Sequence, residues 1–145
     1  MRVDVRRVRP DEGPVARSVA SEFKSAGVSL EHASEFLANP ANYLIIAEGD
    51  GRLAGFVVAY RLDRIDRPAC QLLVYEVDVA PDLRRRGIGA ALMAVVRQIV
   101  ADEGMMEAFA VTEHSNAAAV ALYRGTGAQQ EGEPSCVFVY PGAAA

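Results

Sequence analysis

The sequence has few of the residues from which disulfide frameworks and metal sites are built. It contains two cysteines, Cys70 and Cys136, two histidines and no tryptophan. Two cysteines this far apart form neither a disulfide framework nor a paired-thiol metal motif. We therefore expect two reduced, inert thiols in a cytoplasmic protein, and we predict no metal site.

Long apolar runs and an excess of positive charge are also missing. No apolar stretch is long enough to cross a bilayer, and the first seven residues lack the apolar run of a signal peptide. The net charge of -4 and pI of about 5.2 argue against nucleic acid or an anionic membrane as the main partner. An acidic surface is compatible with a cationic small molecule. The length of 145 residues predicts one domain, which we place at residues 1–140, with a flexible tail at 141–145.

Apolar periodicity predicts alternating strands and helices without a linker or repeat. The predicted strands cover residues 3–8, 43–48, 53–61, 72–79, 105–112 and 136–140. The predicted helices begin at about Asp11, Ser29, Ile88 and Asn116. The order β-α-α-β-β-β-α-β-α, followed by one or two strands, predicts an α+β fold of three layers. Its mixed, mostly antiparallel central sheet of six to seven strands is flanked by about four helices, and the 88–100 crossover makes one strand pair parallel.

The most informative segment is residues 77–92, in which an apolar strand runs into an arginine-rich turn that opens an amphipathic helix. A helix N-terminus has N–H groups without intrahelical partners and a partial positive charge, so it binds phosphate well. Gly87 and Gly89 remove side chains that would keep a ligand away from this backbone. The three arginines at 84–86 add charge-assisted hydrogen bonds to phosphate oxygens. The segment therefore predicts a phosphate-binding turn.

Two other phosphate-binding loops do not match this turn. A dinucleotide-binding fold has Gly-x-Gly-x-x-Gly after its opening strand and an acidic residue about 20 positions later. Here Leu92 stands in place of the third glycine, and the motif lies in the middle of the chain. A Walker loop ends in Gly-Lys-Ser or Gly-Lys-Thr, whereas Gly89 is followed by Ala90. Neither nucleotide fold fits.

The chain resembles the GNAT superfamily of N-acetyltransferases over most of its length. The acetyl-coenzyme A loop of that family reads Gln or Arg, x, x, Gly, x, Gly or Ala, and residues 84–89 read Arg-Arg-Arg-Gly-Ile-Gly. A second signature of the family is matched by Asn116, Ala119, Tyr123 and Gly127. The two signatures occur in the right order, separated by a helix and a strand. The resemblance implies a GNAT fold, acetyl-coenzyme A (acetyl-CoA) as cofactor, and a transferase that acetylates an amine.

The resemblance also implies roles for individual residues. Asn116 would cap its helix and touch the pantetheine arm, Tyr123 would protonate the departing thiolate, and a backbone N–H near Val79 would stabilise the oxyanion. On the residues alone, Asn116 could be only an N-cap and Tyr123 only a core aromatic. The implied cofactor-binding residues are Val77, Val79, Arg84, Arg85, Arg86, Gly87, Ile88, Gly89, Ala90, Asn116 and Tyr123.

Two carboxylates on the strand 72–79 are candidates for the acid–base chemistry. Glu76 and Asp78 are two residues apart, so their side chains point to the same face. A carboxylate in an apolar strand is costly to bury unless it is satisfied, and two of them predict a cleft. An alkyl amine is mostly protonated at neutral pH and attacks a thioester only after losing a proton, which a nearby carboxylate accepts. We predict Glu76 as the general base or amine anchor; His114 is an alternative base or substrate contact, although a lone histidine here is more often polar surface.

The sequence predicts acetyl-CoA as the acetyl donor but leaves several classes of acceptor open. Residues 60–79 and 118–124 resemble class I aminoglycoside 3-N-acetyltransferases, which implies acidic residues that hold a polycationic sugar and a role in antibiotic resistance. The alternatives are another amine (a polyamine, an amino acid or a protein N-terminus) or a catalytically silent acyl-CoA sensor. Members of the superfamily often dimerise, so a homodimer is expected by analogy. The predicted substrate-binding residues are Glu76, Asp78 and Glu113, with Asp63 and Asp66 in a loop.

Overall fold

The structure, a computed structural model, describes residues 2–143, and these form one five-stranded sheet and four helices. The strands are β1 (Asp4–Arg7), β2 (Asn42–Gly49), β3 (Arg52–Asp63), β4 (Cys70–Val79) and β5 (Glu107–Ala110). The helices are α1 (Gly13–Lys24), α2 (Leu30–Ala38), α3 (Ile88–Asp102) and α4 (Ala117–Gly125), and a single 3-10 turn, Pro81–Leu83, precedes α3.

The sheet is mixed, as the sequence predicts. Its strand order is β1-β2-β3-β4-β5, with antiparallel pairing throughout except between β4 and β5. The parallel pair is joined by α3, because a parallel connection needs a crossover. The turn between β2 and β3 has positive φ at Asp50 (51°) and Gly51 (74°), the geometry that two-residue hairpins favour. The predicted hairpin is therefore confirmed.

Helices cover both faces of the sheet and produce two apolar cores. Successive residues of a strand face opposite sides, so Ile45 packs in the core beneath α3 whereas Ile46 packs beneath α1 and α2. Leu92 and Val96 of α3 are fully buried in the first core. The three-layer α+β class is therefore confirmed.

Two helix starts follow the predicted capping chemistry and one differs. The Ser29 hydroxyl accepts a hydrogen bond from the His32 N–H at the start of α2, and Asn116 Oδ1 accepts one from the Ala119 N–H at 3.1 Å at the start of α4. Helix α1 begins after Glu12 rather than after Asp11. The Arg6 guanidinium binds the Glu12 carboxylate. This contact places the start of the helix one residue later than the sequence predicts.

The predicted final strand, residues 136–140, is wrong for this structure. The described residues after α4 contain no strand, and the side chains from Val137 to Tyr140 are exposed. The sheet ends at β5, so it has five strands rather than six to seven. An apolar run becomes a strand only when its backbone groups pair with an edge, and this segment makes no such pairing. Strand β5 also ends at Ala110, two residues before its predicted end. Of the predicted tail, residues 144 and 145 lie outside the described residues.

Candidate active site

A cavity of about 310 Å³ opens where β4 and β5 part. The two strands pair from Gln71 with Glu107 to Val74 with Ala110, and β4 then continues to Val79 paired only with β3. The register against β3 skips Tyr75, a bulge of the kind that bends a strand. The cavity is lined by Phe23, Lys24, Phe56, Tyr75, Glu76, Val77, Asp78, Val111, Thr112, Asn116, Ala119 and Tyr123. The structure thus brings together four side chains singled out in the sequence: Glu76, Asp78, Asn116 and Tyr123.

The backbone N–H and C=O groups of β4 point toward this cavity at alternate residues. The Ala80 N–H donates to the Ala54 carbonyl of the β2–β3 hairpin at 2.8 Å. Backbone groups alternate between the two edges of an antiparallel strand, so Val77 and Val79 direct theirs toward the β5 side. The Val79 N–H already donates to Asp78 Oδ1 at 2.8 Å. The Val77 N–H is therefore the better placed of the two for an incoming carbonyl oxygen.

Glu76 forms an ion pair with Lys24, the last residue of α1. Lys24 is the single lysine of the chain, and the sequence analysis did not select it. Its hydrogen bond to Glu76 raises the pKa of the Lys24 ammonium above its usual value. The Lys24 ammonium thus occupies the carboxylate of Glu76, the candidate base, at the place where a substrate ammonium would bind. Only the packing of α1 over β4 brings these two residues, 52 positions apart, into contact.

Asp78 is paired with a residue of the predicted phosphate turn. Arg84 Nη2 lies 3.2 Å from Asp78 Oδ1, and Arg84 Nε donates to the Val79 carbonyl at 3.2 Å. These bonds draw the Arg84 guanidinium back toward the end of β4. Arg85 and Arg86 remain exposed on the turn, so they are the two arginines best placed to meet a phosphate.

The turn before α3 has the features of an anion-binding helix start. Arg85 and Gly87 have positive φ values of 63° and 81°. Among the described residues, no backbone or side-chain acceptor engages the N–H groups of residues 88–90, and the first bond of the helix runs from Ala91 to Gly87. A Cβ added to Gly89 would lie 3.1 Å from Leu122 Cδ1. Gly89 therefore also allows α4 to pack closely against α3. These residues fit the diphosphate of coenzyme A.

Tyr123 lies across the cavity from β4, on α4. Its side chain is half-buried, and this burial raises the pKa of its phenol above the usual value near 10. The phenol consequently stays protonated at neutral pH. A protonated hydroxyl facing the cavity can donate a proton to a leaving group.

The remaining acidic candidates and His114 do not line this cavity. Glu113 and His114 are exposed in the loop between β5 and α4. Asp63 lies 3.3 Å from Arg61, and Asp66 lies 2.9 Å from Arg64. Glu76, Asp78, Asp63 and Asp66 are thus each paired with a cation, and Glu113 is not among these pairs.

The described residues contain no group of three or more metal-ligating side chains positioned to hold an ion. Nor does any helix in residues 2–143 have the length and apolar character needed to cross a membrane.

Comparison with known proteins shows the family and the fold to which this chain is similar. The model of the acetyltransferase (GNAT) family matches residues 13–128. A mycothiol acetyltransferase from Clavibacter sepedonicus is 38% identical over 86 residues, which are 59% of this chain and 26% of that protein; the chain thus spans about a quarter of that relative's length. An aminoglycoside acetyltransferase from an uncultured soil metagenomic sample, solved with sisomicin, superposes with a TM-score of 0.84 at 21% identity, covering 96% of this chain and 95% of that one. An aminoglycoside N-acetyltransferase solved with CoA gives a TM-score of 0.75 at 20% identity, covering 98% and 95%. At these identities the two structures show a shared fold.

Proposed function

The chain belongs to the acetyltransferase (GNAT) family, and on that premise we propose that it transfers an acetyl group from acetyl-CoA to the primary amine of a small molecule. The observation that carries this proposal is the cavity between β4 and β5. A carboxylate, Glu76, lines it on one side and a protonated phenol, Tyr123, on the other. A binding domain without catalysis would need neither group.

The phosphate turn and the parting strands provide a site for the cofactor. The free N–H groups of residues 88–90, with Arg85 and Arg86, suit the diphosphate. Asn116 and Val77 line the cavity beyond them, where the pantetheine arm would pass. Acetyl-CoA supplies the acetyl group as an activated thioester.

Glu76 is suited to bind the acceptor ammonium and take its proton. The amine must lose a proton to become nucleophilic, and Glu76 is a carboxylate at the mouth of the cavity. Lys24 occupies that carboxylate in this structure, so an acceptor ammonium replaces one cation with another. About half of the Lys24 side chain is exposed, so its ammonium can turn toward solvent when the acceptor binds, which keeps the cost of the exchange small.

Two further groups of the chain complete the proposed chemistry. The Val77 N–H faces the side of β4 where the thioester carbonyl would lie, and a fixed donor there stabilises developing negative charge. Tyr123 keeps its proton at neutral pH and can deliver it to the departing thiolate. Direct attack by the amine needs no covalent enzyme intermediate.

An aminoglycoside, acetylated at its 3-amino group, is the second candidate acceptor. It is supported by the resemblance of residues 60–79 and 118–124 and by the fold shared with aminoglycoside acetyltransferases. The pairing of Glu76 with Lys24 and of Asp78 with Arg84 opposes it, because a polycation needs unpaired carboxylates. A simpler amine fits these contacts better.

The proposal is tested by measuring thiol release from acetyl-CoA with a panel of amines: gentamicin, sisomicin, spermidine, an alkyl amine, an arylalkylamine and a short peptide. Amine-dependent release, with the acetylated amine identified by mass spectrometry, supports the proposal. Tight coenzyme A binding without turnover of any amine would overturn it in favour of a sensor.

A further inference from the structure

A second cavity of about 260 Å³ lies on the face of the sheet that α1 and α2 cover. Apart from Lys24, His32 and Glu76, its lining is apolar or aromatic: Ala16, Val19, Ala20, Ala26, Val28, Ala33, Phe36, Leu44, Phe56, Val58 and Tyr60. Nothing in the proposed chemistry uses this space. We propose that it holds the side group of the acceptor, and that the acceptor is a primary amine carrying one aromatic ring. This inference rests on the proposed function.

The two cavities meet at the candidate base. Lys24, Phe56 and Glu76 line both of them. A molecule with its ammonium on Glu76 therefore has its other end directed either toward the cofactor slot or into the apolar cavity. Because the slot is needed for the pantetheine arm, the apolar cavity is the space left for the acceptor's own substituent.

The size and lining of the second cavity suit a ring. An apolar cavity of about 150 Å³ is enough to bind benzene, and this one is larger. Phe36 and Tyr60 meet edge to face, with ring centroids 6.4 Å apart, and Phe23 and Phe56 lie 5.0 Å apart. Aromatic rings prefer such tilted and edge-to-face arrangements, so a further ring can extend the cluster.

The charges at the junction favour one ammonium rather than several. Lys24 neutralises Glu76, and Arg84 neutralises Asp78. A monocation needs one carboxylate, which Glu76 provides once the half-exposed Lys24 ammonium turns toward solvent. A polycation would bring additional positive charge next to Lys24 and Arg84, and like charges at short range repel.

The first test compares kcat/KM of the unmodified protein for phenethylamine, ethylamine and sisomicin with saturating acetyl-CoA. Burial of a phenyl group is expected to favour phenethylamine over ethylamine by about 30- to 100-fold. Equal values for these two amines, or a preference for sisomicin, would overturn the inference and leave the proposed transferase activity standing. Turnover of no amine at all would overturn both.

The second test fills the cavity. The substitution Ala20→Leu adds bulk at the lining, and Ala94→Leu adds the same bulk on the exposed face of α3. The ratio of kcat/KM for phenethylamine to that for ethylamine is expected to fall at least about 10-fold in the first variant and to stay unchanged in the second. An unchanged ratio in both variants would place the ring elsewhere. Because a ratio is measured, a lower folded fraction does not imitate the effect.

Discussion

The Lys24 ammonium and the Glu76 carboxylate form an ion pair that joins the end of α1 to the middle of β4. Both residues line the cofactor-side cavity and the apolar cavity. The pair thus lies where donor and acceptor would meet. Its cation is part of the chain, so under the proposed function a substrate ammonium would compete with Lys24 for Glu76.

Replacing Lys24 with Met should make the acceptor bind more easily. The substrate ammonium would no longer compete for Glu76, and exposed ion pairs are worth roughly 0.2–1 kcal/mol. We expect KM for phenethylamine to fall by about 2- to 5-fold. Arg17→Met, on the exposed side of the same helix, is the matched control. A rise in KM in K24M would show instead that Lys24 holds the acceptor.

Replacing Tyr123 with Phe should slow turnover and leave cofactor binding intact. The variant keeps the ring and removes the phenolic hydroxyl, whose pKa burial raises above its ordinary value. We expect kcat to fall by about 100-fold, with the coenzyme A dissociation constant, measured by calorimetry, within about 2-fold of the unmodified protein. Tyr140→Phe, at a fully exposed side chain, should change neither. Equal rates in Y123F and the unmodified protein would remove Tyr123 from the chemistry.

Replacing Glu76 with Gln should produce a defect that depends on pH. An alkyl amine has a pKa near 10, so at neutral pH it needs a base and at high pH it does not. We expect kcat/KM to be about 100-fold lower at pH 7 and to approach that of the unmodified protein as pH rises toward 10. Glu113→Gln, in the exposed loop before α4, provides the control. The assignment fails if E76Q retains full activity with an unchanged pH profile.

The three arginines of the phosphate turn should contribute unequally. Arg84 is engaged by Asp78 and the Val79 carbonyl, whereas Arg86 is exposed beside the free N–H groups of α3. We expect Arg86→Ala to weaken coenzyme A binding by about 10-fold at low salt and by less at high salt. Arg84→Ala should weaken it less. Fluorescence titration at two ionic strengths measures both, and a larger loss in R84A would reverse the order that these contacts indicate.

An ion pair far from the site predicts how stability depends on pH. The Arg6 guanidinium donates to both oxygens of Glu12 and lowers the pKa of that carboxyl from 4.5 to about 2. A depressed carboxyl pKa stabilises the fold above about pH 4.5, and this contribution is lost as pH falls toward 2. Glu12→Gln should therefore destabilise the protein by about 1–2 kcal/mol at pH 7.

Urea unfolding at pH 7 and near pH 2 measures this difference. The gap between E12Q and the unmodified protein should narrow at the lower pH, since Glu12 is then protonated in the unfolded chain and partly protonated in the folded chain. Asp11→Asn, one residue earlier and exposed, should show a much smaller gap at pH 7. A gap that stays constant with pH would mean that packing, rather than charge, causes the effect.

Local chemistry explains what was predictable in the fold. The Asp50-Gly51 turn, the Ser29 and Asn116 caps and the glycine-containing start of α3 depend on residues close in sequence, and all of them appear in the structure. The segment 136–140 is an equally clear apolar run and forms no strand. A strand needs a partner, and the presence of a partner edge is not a local property.

The sequence by itself determined the family, the order of the elements as far as α4 and the two motifs that point to the cofactor, because these depend on residue type and short spacing. Only the tertiary structure decided which charges meet. The packing of α1 over β4 placed Lys24 on Glu76, the turn folded Arg84 back onto Asp78, and the two layers of helices left an apolar cavity beside the candidate base. Contacts of this kind join residues far apart in the chain, and their energies depend on distance and burial. Residue order therefore indicates the donor, whereas the acceptor depends on the packing.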